Sequence, residues 1–213
     1  MSNREDLLAG AKKCLLEKGY ARTTARDIAQ AAGVSLAAIG YHFGSKDALM
    51  NEAMFQTIVE WGDHVEETFA KAGPDLPVAE RFARVFDEVS ATFDENRELW
   101  MASFELIMEL DRIPGARKMF MEALPDARTG LVDLILGIPE AQVDREMEMS
   151  AGAVLYSLMA GLLIQRFADA DRTPTGADLA AGLRRLADAL DGEQAAAAGS
   201  RPEVLSRRSP STG

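Results

Sequence analysis

The sequence predicts an all-α protein, a three-helix N-terminal head followed by a larger helical domain, about nine helices in all. Three observations predict it. Apolar residues recur at i, i+3, i+4 spacing through every long segment, and no run alternates apolar and polar residues with the period of a strand. Gly, Pro or Asn punctuates the chain between those segments. With 213 residues, 47% of them hydrophobic, the chain can bury one or two cores.

The first helix is expected from Arg4 to Lys18. Leu7, Leu8, Ala11 and Leu15 form its inward face, Asn3 its cap and Gly19 its stop. Thr23 or Thr24 caps the second helix, with Asp27 as a short-chain counterpart of the capping-box acid and Ile28, Ala29 and Ala32 facing inward. Gly33 ends it, because glycine accepts the left-handed conformation that helix ends need, and Val34 folds back onto the finished helix. Ser35 starts a third helix of only about two turns, Leu36 to Phe43, ended by Gly44. A helix this short depends on packing. Ile39 and Phe43 fall on one side, Ala37 and Tyr41 nearly opposite, flanked by Ala38 and Gly40.

Ser45 caps a long connecting helix whose apolar positions run from Leu49, Ala53 and Met54 through Ile58, Trp61 and Val65 to Phe69, ending before Gly73-Pro74. Further helices are expected over Val78–Asn96, Glu98–Leu110, Pro114–Leu136, Pro139–Asp169 and Gly176–Leu190. Residues 192–213, first Ala-rich and then rich in Ser, Arg and Pro, have little to bury and are expected to form a disordered tail. The expected division is 1–48 for the head, 49–191 for the helical body and 192–213 for the tail.

Helix, glycine turn and short helix over about residues 24–43 is the helix-turn-helix arrangement, in which the second helix enters the major groove of DNA. The string VSLAAIGYHFGSKDAL after TTARDIAQAAG closely resembles the TetR family of bacterial transcriptional regulators over residues 4–62. The YHF-x-S-K-x-x-L run is far more specific than a helix-turn-helix pattern alone. The rest of the chain matches that family only in length and helical character.

By this resemblance and helical geometry together, Leu36, Ala37, Ala38 and Gly40 are assigned to base edges, and Tyr41 and His42 mainly to the DNA backbone. Leu36, about 60° from Ile39, is equally placed to be half core. The alanines offer only apolar contact with thymine methyl groups, or clearance. Gly40 stands where many family members have tyrosine, and close packing is its other reading. His42 is read either as a phosphate donor or as a structural residue. Lys46 is a phosphate clamp by resemblance, beside Ser35, Thr24 and Arg26 at or near helix starts.

The net charge of −11 at pH 7 hides an asymmetry: residues 1–50 hold seven basic and five acidic side chains, net +2, leaving −13 for the rest. A mildly basic head on an acidic body suits a site-specific binder with weak nonspecific affinity. A single cysteine, Cys14, precludes an internal disulfide, and His42 and His64 form no zinc-spaced set. The longest apolar stretch, Ala151 to Ile164, is too short to span a bilayer, and no export signal is recognised. A cytoplasmic protein without cofactor, metal or membrane partner is expected.

Methionines and aromatics accumulate in the body. Glu98–Leu110 is apolar on nearly every side and is expected to lie in the interior. TetR-like regulators bind a small effector in this domain, so the resemblance implies a mainly hydrophobic ligand, with Phe86, Phe93, Trp100, Phe104, Met108 and Tyr156 as candidate lining. Ala153, Ser157 and Gly161 form a strip of small residues that admits a close helix, in the chain or in a second copy. In the family the last two helices make a four-helix dimer interface, here Val143–Phe167 and Leu179–Leu190, which places two heads on successive major grooves of a palindromic operator. Most family members repress and are released by their effector. No P-loop, dinucleotide fingerprint, metal set or nucleophile with a placed base supports an enzyme. The alternative is a helical ligand-binding or adaptor protein that has lost operator binding.

Overall fold

The computed structural model describes residues 2–72 and 76–199. Nine α-helices are described: α1 Asn3–Lys18, α2 Ala25–Ala32, α3 Ala37–Phe43, α4 Lys46–Ala72, α5 Val78–Glu95, α6 Arg97–Met108, α7 Ala116–Leu136, α8 Arg145–Ala168 and α9 Gly176–Gly199. No strand occurs among the described residues. The all-α expectation holds.

Local chemistry sets most boundaries. Ser2, not Asn3, caps α1: its hydroxyl accepts the Glu5 amide at 3.4 Å and its amide donates to Glu5 Oε2 at 2.9 Å. Thr24 and Asp27 make the same reciprocal box at α2. Gly33 is left-handed at φ 67°, and the Val34 amide reaches back to the Ala29 carbonyl at 3.1 Å. Leu36, with no side-chain cap bond, precedes α3, so Ser35 does not cap it. Ser45 does cap α4, its hydroxyl accepting the Ala48 amide at 3.0 Å.

Two departures lie late in the chain. Pro139–Asp169 is not one helix: Glu140–Gln142 is a 3-10 turn, Val143 is extended, and α8 begins only where Asp144 accepts the Met147 amide at 2.8 Å. A π turn, Glu148–Gly152, interrupts α8. α9 continues to Gly199, eight residues into the expected tail; residues 200–213 lie outside the described residues, as does the Phe69 side chain.

Two hydrophobic cores form. The first joins Leu7, Leu8, Ala11 and Leu15 of α1, Ile28 of α2, Ile39 of α3 and Leu49, Met50, Ala53 and Met54 of α4 to Leu99, Ala102 and Leu106 of α6. The head core therefore extends past residue 48 and includes one face of a body helix. The second core holds Phe82, Val85, Phe86, Val89 and Phe93 of α5 with Val132, Ile135, Leu155 and Leu162. Trp100 and Phe104, on another face of α6, pack against it. α6 is not wholly interior, since Met101, Ile107 and Met108 are exposed.

Candidate nucleic-acid interface and effector site

The recognition helix α3 is held from beneath. Ile39 is buried in the head core, and Phe43 lies under the Arg4 guanidinium, 5.0 Å from the ring centre. Arg4 is fixed in turn by Glu52 of α4 at 2.6 Å. Lys18 pairs with Asp27 at 2.6 Å, and that pairing with the Thr24 bonds holds the Asp27 carboxyl well below the usual carboxylate range. The helix pair is thus anchored on its inner side chiefly by buried Ile28 and Ile39, with the exposed ion pairs adding little, and its outer side faces solvent.

Leu36 (48% exposed), Ala37, Gly40 and Tyr41 (85% exposed) form that outer side. Thr24, Arg26 and Ser35 are also exposed. Ala38, expected at a base edge, instead lies in the head core beside Ile39 with 9% of its surface exposed. A Cβ added at Gly40 would meet nothing within 4 Å, so close packing within the chain is not its reason. The His42 ring lies edge-on to Tyr41 at 4.9 Å. Lys46 is half-buried: its ammonium lies 3.4 Å from the Thr23 carbonyl, 3.2 Å from Asp47 Oδ1 and 5.5 Å from the Tyr20 ring centre. It sits at the start of α4 already engaged.

Behind this face, polar contacts between distant segments fasten head to body. The Tyr20 hydroxyl donates to Asn51 Oδ1 at 2.6 Å, and Asn51 Nδ2 donates to the Pro114 carbonyl at 3.0 Å. Burial pushes the Tyr20 phenol well above its ordinary range. The Ala21 amide donates to Glu105 Oε2 of α6 at 3.3 Å. These partners are 31 to 84 residues apart, and no local pattern announces them.

Four of the six candidate effector residues, Phe86, Phe93, Trp100 and Phe104, lie in or against the second core, and Tyr156 and Met108 stand outside it. Phe86 and Phe93 are fully buried, and Trp100, Phe104 and Tyr156 are partly buried. Met108 is 82% exposed and lines no interior. The Trp100 ring meets Phe93 edge-on at 5.7 Å and Trp61 at 4.7 Å, and its Nε1 is buried with no hydrogen-bond partner among the described residues. Burial raises the Tyr156 phenol, with Arg128 opposing the rise. The aromatics are packed on one another, so a ligand here would have to part them.

On α8 the small-residue strip is only partly covered by the described residues. Val154 (48%) and Ile164 (55%) are exposed, as is Ser157, and a Cβ on Gly161 would meet nothing within 4 Å. Leu186 and Leu190 of α9 are 63% and 62% exposed. As a continuous 24-residue helix, α8 is long and apolar enough to cross a bilayer by length and composition alone, although Ala151–Ile164 by itself is not. Only 22% of its most apolar window is buried in the chain.

Residues 7–53 match the family described as bacterial regulatory proteins, tetR family. The repressor KstR2 of Mycolicibacterium smegmatis is 27% identical over 106 residues, which cover 50% of this chain and 43% of that protein. The regulator CymR of Pseudomonas putida is 29% identical over 138 residues, covering 65% and 66%. The KstR2 match thus spans less than half of that protein, and the CymR match about two thirds. Among solved structures, the multidrug binding protein EbrR in complex with proflavin superposes with a TM-score of 0.60 at 21% identity, over 87% of this chain and 99% of that one.

Proposed function

We propose that this chain, whose residues 7–53 match the tetR family of bacterial regulatory proteins, is a cytoplasmic transcriptional repressor which binds a palindromic operator as a dimer and is released by a small, mainly hydrophobic effector. The observation that carries the reading is the outer face of α3. A two-turn helix anchored by Ile39 and Phe43 presents Leu36, Ala37, Gly40 and Tyr41 to solvent, a low-relief surface able to sit deep in a major groove. Base readout rests on apolar contact and close fit, with Tyr41, His42, Arg26 and Thr24 placed for phosphates. Lys46 reaches a phosphate by leaving the Thr23 carbonyl.

The partly exposed faces of α8 and α9 support the dimer. Ser150, Val154, Ser157, Gly161 and Ile164 recur at spacings of three and four on α8, and Leu186 and Leu190 add exposed apolar residues on α9, which packs on α5. A second copy of the same faces covers both, giving a four-helix seam. The relatives' names, KstR2 as a repressor and EbrR as a multidrug binding protein, support repression and a ligand respectively.

Release follows from α6. Leu99, Ala102 and Leu106 are built into the head core, while Trp100 and Phe104 pack against the body core. A ligand that wedges between Trp100 and its aromatic neighbours moves α6, and α6 carries the α1–α2 turn through Glu105. If the displaced arrangement spaces two heads wrongly for DNA, the effector lowers operator affinity by its preference for that arrangement. Electrophoretic mobility shift against the DNA upstream of the protein's own gene tests the reading. A discrete complex containing two chains supports it; retention of that DNA no better than random sequence favours the adaptor reading.

A further inference from the structure

A concavity of about 440 Å³ opens between α7 and the segment that starts α8, lined by none of the candidate effector residues. Both walls are irregular. Pro125 lies inside α7, where it cannot donate to the Met121 carbonyl, and the π turn of α8 faces it. At Gly152 the two helices are so close that a Cβ would lie 3.1 Å from the Arg128 carbonyl oxygen. A π turn at such a junction is a frequent mark of a functional site.

The lining combines an apolar surface, chiefly Leu124, Pro125, Val143 and Met149, with two acids and two arginines. The acids are already used. Asp144 accepts the Met147 amide as the cap of α8, and Glu148 accepts Arg128 Nη1 at 3.1 Å. The donors are not. Arg128 Nε is buried without a hydrogen-bond partner among the described residues, and Nη1 is shared between Glu148 and the Met149 sulfur at 3.2 Å, a weak acceptor for a guanidinium. Arg145 enters no ion pair among the described residues. Met149 is 53% exposed on a flexible side chain and is free to swing away.

We propose that this concavity is a second small-molecule site, separate from the aromatic interior, and that it takes an apolar monocarboxylate. The apolar wall holds the body of the molecule. Its carboxylate replaces the Met149 sulfur at Arg128 and joins Arg145, giving the unanswered guanidinium donors the acceptor geometry they fit best. The exposed strip on α8 begins one residue beyond Met149, so a bound ligand lies beside the surface proposed for dimerisation. The site is independent of whether the head binds DNA.

Calorimetric titration of the full chain tests this with octanoate, decanoate and 4-tert-butylbenzoate against octanol and octylammonium. At least one carboxylate is expected to saturate one site per chain, about tenfold or more tighter than octanol. Arg145→Ala, an exposed change that leaves the fold intact, should weaken the carboxylate about tenfold and leave octanol unchanged. Val143→Trp should fill the site, and Phe104→Ala in the aromatic interior should leave carboxylate binding unchanged. The proposal is overturned if no carboxylate exceeds octanol, if octylammonium binds best, or if Phe104→Ala abolishes binding that Arg145→Ala spares. Operator binding, measured separately by mobility shift, has no bearing on any of these outcomes.

Discussion

Leu99→Ala is the sharpest probe of how head and body are joined. Leu99 lies on α6, far from the head in sequence, yet it is 1% exposed within the head core. Its surroundings, including Ala53 at 0%, Ala102 at 1% and Leu106 at 4% exposure, are held by helix backbones that cannot easily close a void. Truncation therefore removes transfer energy and leaves most of a cavity, a loss of about 3 kcal/mol within the roughly 2–5 kcal/mol spread of such changes. That is a large part of the roughly 5–15 kcal/mol that holds a domain folded. Urea unfolding followed by far-UV circular dichroism and by the fluorescence of Trp61 and Trp100 reads it. Both signals should shift to a lower midpoint together, because Trp61 packs against both cores. Met108→Ala on the same helix, at an 82% exposed site, should change stability by less than about 0.5 kcal/mol. A loss under about 1 kcal/mol for Leu99→Ala, or an early head transition that leaves tryptophan fluorescence unmoved, would refute the shared core.

Two glycines should respond in opposite directions. At Gly176 a Cβ would lie 2.0 Å from the Ala83 carbonyl oxygen, so Gly176→Ala should push α9 off α5 and cost about 1–3 kcal/mol or more, whereas Gly40→Ala meets open space and should gain up to about 1 kcal/mol from helix propensity, both by thermal melting. Lys46→Ala should weaken binding to all DNA sequences and lower the salt slope by about one, while Tyr41→Ala should weaken binding with the slope nearly kept, as fluorescence anisotropy at several salt concentrations will show. Asp27→Asn should destabilise the chain at neutral pH. Because the folded Asp27 carboxyl titrates below its unfolded value of about 3.9, its stabilisation is present above that pH and is lost as pH falls through the folded value, so the gap between variant and parent in denaturation should close on acidification.

What the sequence disclosed was mostly local. Thr24 with Asp27, Gly33 before Val34, Gly44 and Ser45 each act within four residues, and each appears where the spacing put it. The cap of α1 slipped by one because Ser2 and Asn3 each have an acid three residues on, Glu5 and Asp6, and only the structure shows which pair closes. Ala38 was misplaced because a helical wheel gives directions on one helix but not the depth at which that helix lies on its neighbours. Tyr20 to Asn51, Ala21 to Glu105 and the entry of Leu99 into the head core depend on tertiary docking and leave no periodic trace. Composition also made α6 look wholly interior, whereas Met101, Ile107 and Met108 face solvent. Apolar content does not say which face a neighbour covers.

Selection of the full-length protein against random-sequence duplex DNA tests the central claim most directly. Enrichment of one inverted repeat is expected, with half-sites about one helical turn apart, or a multiple of it, bound by chains in even number. Recovery of no common sequence, or of a single unrepeated half-site bound by one chain, would contradict it.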